Sequence, residues 1–177
     1  MNNGAILQVK DIRFYYHTEA GPVKAVDGVT FDLERGIKLG LVGESGCGKS
    51  TMAMAIMRLL KPPGKLESGE LLLDGVDLAQ LSEEQMRQAR LRKISLILQG
   101  AMNSLNPVSK VKDQLLDGMK DHGVKFTRQQ AAARVEELLD AVDLASSVAD
   151  MYPHELSGGM KQRVCVAMAI SMQPQVV

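Results

Sequence analysis

The chain has 177 residues, of which 45% are hydrophobic and 24% charged, and its 21 Lys plus Arg balance 21 Asp plus Glu to a net charge of zero. That length supports one domain with an ample core, and the neutral balance excludes a globally basic nucleic-acid binder, so no nucleic-acid partner is expected. No apolar run approaches the ~18 residues of a membrane-spanning helix, and the N-terminus lacks the basic start and apolar stretch of a signal peptide. The two cysteines, Cys47 and Cys165, have no metal-ligand spacing and fit a reducing cytosol.

In chain order, Leu7, Val9, Ile12 and Phe14 predict a first strand ending in the aromatic cluster Phe14-Tyr15-Tyr16. Residues 26–33 predict a second strand, with Asp27-Gly28 as a turn. Residues 37–42 form a short apolar run suited to a buried strand. They lead into Gly43-Glu44-Ser45-Gly46-Cys47-Gly48-Lys49-Ser50-Thr51, whose spacing Gly43-x-x-x-x-Gly48-Lys49-Ser50 is that of a phosphate-cradling loop. Met52, Ala55, Ile56, Leu59 and Leu60 then recur at helical spacing until Pro62-Pro63-Gly64. The glycines at 43, 46 and 48 admit backbone conformations that turn N–H groups toward phosphate oxygens, and the helix N-terminus adds partial positive charge. Lys49 is placed to reach the β- and γ-phosphates and the Ser50 hydroxyl to ligate Mg²⁺. Cys47 reads as a tolerated small residue, the other reading being a redox switch activated by the helix N-terminus.

Residues 68–75 predict a strand between two turns. Ser82-Glu83-Glu84-Gln85 is a capping box opening a helix, with Arg90, Arg92 and Lys93 in its last turn. Residues 94–98 predict a buried strand ending at Gln99, and a polar loop with Asn103, Asn106 and Pro107 follows. Val111, Leu115 and Met119 mark one helix. A second opens at the Thr127-Arg128-Gln129-Gln130 box with Ala131, Val135, Leu138, Leu139 and Val142 on one face. Tyr152-Pro153 breaks the pattern before a final helix with Met160, Val164, Ala167, Met168 and Ser171 on one stripe, ended by Pro174. Val176-Val177 reads as the opening of a strand. Core packing explains the eleven methionines better than a thioether metal site. Ser157-Gly158-Gly159 at a helix start is either a plain Ser N-cap or a hydroxyl and several unhindered backbone N–H groups offered to a phosphate.

Leu156-Ser157-Gly158-Gly159-Met160-Lys161-Gln162-Arg163 closely resembles the signature sequence of ATP-binding cassette (ABC) ATPases, and it follows the phosphate loop after the helical segment that family's layout requires. The resemblance implies an α/β fold, a P-loop NTPase of the ABC type with a mixed sheet and an inserted helical subdomain, truncated before the Walker B strand. It implies a single nucleotide-binding domain over residues 1–177, in its N-terminal part only. The sheet and phosphate-loop core would span 1–98, the Q-loop and helical subdomain 99–156, and the signature helix with the start of the next strand 157–177. Gln99 resembles the Q-loop glutamine, which senses Mg²⁺ and the attacking water and faces the membrane partner. Tyr16 resembles the aromatic that stacks on adenine; a plain strand-end aromatic is the other reading, and Tyr15 is the competing candidate. ATP and Mg²⁺ are thus the implied ligands. Tyr16, Gly43, Glu44, Ser45, Gly46, Cys47, Gly48, Lys49, Ser50 and Thr51 would hold one nucleotide, and Ser157, Gly158 and Gly159 would serve the partner's. Lys49 and Gln99 would act in hydrolysis, and Ser50 and Gln99 at the metal.

A narrower likeness rests on Val42-Gly43-Glu44-Ser45-Gly46, on Gln99 with Asn103-Ser104-Leu105-Asn106-Pro107, and on Tyr152-Pro153-His154-Glu155-Leu156. Together these look like ATP-binding subunits of dipeptide, oligopeptide and nickel importers, over essentially the whole chain. Gly100-Ala101 departs from the Asp-Pro pair common after the Q-loop glutamine, which bears on loop stiffness, and His154 reads as structural or capping. The family's next element is an apolar strand ending in an Asp-Glu pair, with a switch histidine beyond it. This chain stops where that strand would begin, and His17, His122 and His154 do not stand at the switch position. The expectation is the N-terminal half of a longer subunit, without steady hydrolysis of its own. The implied function is an energy-coupling ATPase for import of peptides or nickel, cytoplasmic and peripheral on the inner face of the cell membrane. Implied partners are a second cassette, homo- or heterodimeric and head to tail, transmembrane permease subunits and, indirectly, an extracytoplasmic substrate-binding protein. The competing reading is a soluble ABC-type component of a non-transport complex, such as a carbon–phosphorus lyase or a DNA-repair assembly. A nucleotide-binding fragment without turnover is a third.

Overall fold

The computed structural model describes residues 4–177; Met1, Asn2 and Asn3, on which part of the signal-peptide reading rests, lie outside the described residues. The chain forms two compact units, one running to Arg87 and taking in Val176, the other comprising Gln88–Gln175 and Val177.

In the first unit β1 (Ala5–Thr18), β2 (Gly21–Glu34), β3 (Gly64–Leu73) and β4 (Val76–Asp77) build a four-stranded sheet in the order β2-β1-β3-β4, with every pairing antiparallel. The buried residues of β1 are Leu7 and Val9, then Ile12 and Phe14, so the alternation changes phase between them. An irregularity at Lys10-Asp11 causes the change: Asp11 has a left-handed φ of 47° and its N–H donates to Thr30 Oγ1 at 2.9 Å. Gly69 of β3 accommodates that bulge, because a Cβ there would lie 2.6 Å from the Asp11 carbonyl oxygen. Leu71, Leu73, Leu78 and Met86 complete this core. Each such side chain contributes about 1.5–3 kcal/mol through removal from water. α2 (Glu83–Ala89) opens on the predicted capping box, with Gln85 N–H donating to Ser82 Oγ and Ser82 N–H to Gln85 Oε1.

Several expectations for this unit need correction. The four-stranded sheet is antiparallel throughout and not mixed, although a parallel pairing does occur in an isolated bridge between Arg90 and Ile94 of the second unit. Asp27-Gly28 is not a turn but lies inside β2, where Gly28 takes a φ of 74° at a register irregularity. β3 starts at Gly64, earlier than its apolar run indicates. Residues 37–42 form no strand: Ile37, Leu39 and Leu41 are exposed and Val42 is 91% exposed. Apolar composition favours burial, but a strand also needs a ladder partner for its N–H and C=O groups, and among the described residues none pairs there. α1 (Lys49–Ile56) is shorter than its apolar spacing indicates, because Arg58 turns left-handed and ends it before Leu59 and Leu60.

The second unit is helical: a 3₁₀ turn at Ala101–Ser104 precedes α3 (Val111–Asp121), α4 (Arg128–Asp140) follows, and 3₁₀ turns at Ser146–Asp150 and Pro153–Glu155 lead on to α5 (Gly158–Ile170). The predicted stripes converge in one core that contains Val111, Leu115, Met119, Val135, Leu138, Leu139, Val164 and Ala167. The Thr127 capping box is formed as predicted. Gln114, buried in α3, receives the Asn106 N–H and donates to the Asn106 and Ser109 carbonyls, which fixes the Asn-Pro loop. Residues 94–98 form no strand beyond the bridge at Ile94; Ile94 and Ser95 are buried, but Leu98 is 44% exposed. At the expected strand opening, Val176 takes part in an isolated β-bridge and Val177 has no regular secondary structure. Among the described residues no helix is long and apolar enough to cross a membrane.

Candidate nucleotide site

The phosphate loop is shaped by what lies beneath it. Gly48 caps α1 with a φ of 96°, and a Cβ there would lie 2.3 Å from the carbonyl oxygen of Ala25 in β2. Only glycine satisfies both the left-handed backbone and that approach. Gly46 is also left-handed, at 81°, over open space. Gly43 faces the Cys47 thiol so closely that a Cβ would lie 2.6 Å from Sγ. The Met52 N–H donates to the Gly48 carbonyl at 2.8 Å, so the helical ladder begins directly at the loop.

Lys49 folds over the loop, donating through Nζ to the carbonyls of Gly43 at 2.8 Å and Glu44 at 2.5 Å, with Cys47 Sγ at 3.4 Å. A cation held against two loop carbonyls at the start of a helix is a fitting receptor for phosphate oxygens. Ser50 is the second residue of α1 and is exposed, and Thr51 is half-buried. Beside the loop lies a cavity of about 350 Å³, lined by Val26, Asp27, Cys47, Gly48, Lys49 and Met52 among others. Among the described residues no cluster of three or more His, Cys, Asp or Glu forms a metal cage. A cation here would therefore depend on hydroxyl, phosphate and water oxygens, as Mg²⁺ does.

Asp27 joins three side chains at the cavity's edge. The Tyr15 hydroxyl donates to Oδ1 at 2.5 Å, Lys24 to Oδ2 at 3.2 Å, and Arg13 Nε lies 3.6 Å from Oδ1. The Tyr15 bond and then Lys24 hold the Asp27 carboxyl below the usual carboxylate range, and hydrogen bonding to Asp27 pushes both the Tyr15 phenol and the Lys24 ammonium up. Tyr16 is placed differently: it meets Phe14 edge to face at 5.5 Å between centroids, beside Gly64, where a Cβ would lie 2.9 Å from its ring.

In the second unit Gln99 is exposed in a turn whose next residue, Gly100, takes a φ of 78°. Ser157 is the N-cap of α5, its Oγ accepting from the Met160 N–H at 3.3 Å, and Gly158 and Gly159 are exposed in the first turn. Asp143, Ser147, Met151, Ser157, Gly159 and Arg163 are among the residues lining a cavity of about 390 Å³ there. Arg163 donates to the Asp143 carbonyl at 2.9 Å, which ties α5 to the turn after α4. Tyr152 and His154 stack with 5.7 Å between centroids, and the Glu155 carboxylate receives the Tyr152 N–H, which agrees with a structural role for His154.

Three contributors escape sequence reasoning. Ala25 supplies the carbonyl under Gly48, Asp27 gathers the edge of the cavity, and Arg163 anchors the signature helix. Ala25 carries no local signal, Arg163 is legible only as the end of the signature sequence and not as a partner of Asp143, and Asp27 only as half of an apparent turn.

Residues 26–177 match the model of the ABC transporter family. The chain is 42% identical over 175 residues to the oligopeptide transport ATP-binding protein OppD of Bacillus subtilis (strain 168), which covers 97% of this chain and 49% of that protein. It is 39% identical over 175 residues to the dipeptide transport ATP-binding protein DppD of Escherichia coli (strain K12), covering 98% of this chain and 53% of that one. The chain thus spans about half the length of the curated relatives it matches. Among solved structures it is similar to MJ0796, a bacterial ABC transporter cassette determined as a dimer, with a TM-score of 0.83 and 25% identity over 95% of this chain and 70% of that one. The same cassette is also known in a dimeric post-hydrolysis state bound to ADP and Pi, with the same TM-score of 0.83. A phosphate loop on an antiparallel sheet, a helical unit that ends in the Ser-Gly-Gly helix, and these likenesses have one conclusion: the chain belongs to the ABC transporter family.

Proposed function

We propose that this chain is the nucleotide-binding part of an ATP-binding subunit that couples ATP binding and hydrolysis to peptide import through a membrane permease. The observation that carries the reading is the phosphate loop, in which Gly48 rests on the Ala25 carbonyl while Lys49 lies across Gly43 and Glu44. The peptide-transport names of OppD and DppD support peptide over nickel as cargo, and over a non-transport complex as setting.

Lys49 would leave the loop carbonyls for the nucleotide's terminal phosphates, and the Ser50 hydroxyl would face Mg²⁺, which neutralises phosphate charge. Tyr16 is the proposed adenine platform, and Gln99 the residue that orients water and metal. Ser157, Gly158 and Gly159 would serve the nucleotide of a second cassette placed head to tail, a reading supported by the dimeric state of MJ0796. The subunit would sit on the cytoplasmic face of the cell membrane against its permease.

The test is titration of the chain and its Lys49→Ala variant with a fluorescent ATP analogue. A charge-assisted hydrogen bond contributes about 1.5–3 kcal/mol, so the variant should bind roughly 10- to 150-fold more weakly. Equal affinities would remove the phosphate-loop assignment.

A further inference from the structure

The C-terminal end of α1 carries a feature that helix termination alone does not require. The Leu59 N–H donates to the Met54 carbonyl at 2.9 Å and the Arg58 N–H to the Ala55 carbonyl at 2.9 Å, the double closure of a Schellman turn. The residue that must turn left-handed in that motif is usually glycine; here it is Arg58, with a φ of 50°. A side chain at this position is unfavourable for the backbone, so what the side chain does is informative.

The Arg58 side chain is partly buried and reaches across to the segment after β4. Nη1 donates to the Leu78 carbonyl at 3.1 Å and the Leu81 carbonyl at 2.5 Å, and Nη2 to the Glu83 carboxylate at 2.5 Å. Leu78 is almost fully buried, so its carbonyl belongs to a fixed part of the unit, whereas Glu83, which opens α2, offers a carboxylate that is 75% exposed. The planar fork suits simultaneous donation to several oxygens, which a lysine ammonium does with less geometric control.

α1 is only eight residues long, and its other end is the phosphate loop with Lys49 and Ser50. Over so short a rod, a rotation at one end displaces the other. At the loop end the backbone is located by Gly48 on Ala25; at the far end it is located by the fork of Arg58. We propose that Arg58 is a positioning residue for the phosphate loop, a latch that sets the direction of α1 and so aims Lys49 and Ser50 at the nucleotide's phosphates. This rests on the nucleotide-binding reading given above.

Arg58→Gly separates the latch from the helix cap, because glycine suits the left-handed turn while removing the fork. The experiment measures thermal stability and affinity for the fluorescent ATP analogue in the full chain, in Arg58→Gly and in Arg58→Lys. Hydrogen exchange of the amides at residues 49–52 is followed in each. The expected result for Arg58→Gly is a melting temperature no lower than wild type, affinity weaker on the order of tenfold, and faster exchange at the loop end of α1. Arg58→Lys should fall between it and wild type. Unchanged affinity in Arg58→Gly would overturn the proposal. So would stability and affinity falling together in Arg58→Gly and returning together in Arg58→Lys, since Arg58 would then be a plain structural contact. Wild type that fails to bind the analogue would instead overturn the nucleotide reading itself, and the latch with it.

Discussion

Gly48 lies directly on the carbonyl of Ala25, so that a methyl group added at 48 would sit 2.3 Å from the oxygen. The contact joins the start of α1 to the second strand of the sheet and sets the height of the phosphate loop above it. Gly48→Ala must push the loop off β2 and also hold alanine in a left-handed conformation that costs about 1–2 kcal/mol. Gly46→Ala meets the same backbone penalty but no neighbouring atom. Analogue titration and thermal denaturation should therefore show Gly48→Ala losing binding by well over the factor seen for Gly46→Ala. Equal effects would mean that strain alone, and not the Ala25 contact, shapes the loop.

Adenine recognition should rest on stacking at Tyr16. Stacking of a base on an aromatic contributes on the order of 1–3 kcal/mol and tolerates different bases. Tyr16→Ala should weaken ATP and GTP by similar factors, whereas Tyr16→Phe should preserve both. The neighbouring Tyr15 is tied to Asp27 and lies beneath Lys24, 5.5 Å from the ring centroid. A larger loss in Tyr15→Ala than in Tyr16→Ala would shift the assignment by one residue.

The two cysteines should differ sharply toward thiol reagents. Cys47 is exposed in the phosphate loop, while Cys165 is buried in α5 and donates to the Ala101 carbonyl at 3.3 Å. Burial pushes the Cys165 thiol up, away from its reactive thiolate form. A chromogenic disulfide reagent near neutral pH should titrate one thiol rapidly and the second only in denaturant, with the fast phase absent from Cys47→Ser. Two fast thiols would show that the core around α5 opens readily.

Asp150 offers a test of pH dependence. Its carboxylate receives Lys112 at 2.7 Å and Lys110 at 3.2 Å, and Lys112 first, then Lys110, holds its pKa below the ordinary value of 3.8. A carboxyl with a depressed folded pKa stabilises the fold above its unfolded pKa and loses that contribution as pH falls through the folded one. Melting curves between about pH 6 and about pH 3 should therefore fall further for wild type than for Asp150→Asn. The difference should be small, because the pair is exposed, and smaller still in high salt. Parallel pH profiles for the two proteins would show that the ion pair contributes nothing.

What the sequence determined by itself was whatever contiguous residues encode. The glycine turn into α1, the Ser157 N-cap, the capping boxes at Ser82 and Thr127, and the stripes of α3, α4 and α5 all stand where the local pattern places them. Caps and helical stripes are formed by groups a few residues apart, so their energetics are written in short windows. Tertiary structure alone decided the rest. Gly28 reads as a turn until its place inside β2 is seen, and the phase change in β1 needs Gly69, far along the chain. The apolar runs at 37–42 and 94–98 carry the composition of buried strands, yet among the described residues they have no ladder, because strand formation depends on a partner and not on the run itself. The support of Gly48 by Ala25 and the reach of Arg58 to Leu81 and Glu83 belong to the same class. They join atoms whose separation in sequence carries no signal, and only close packing brings those atoms within bonding distance.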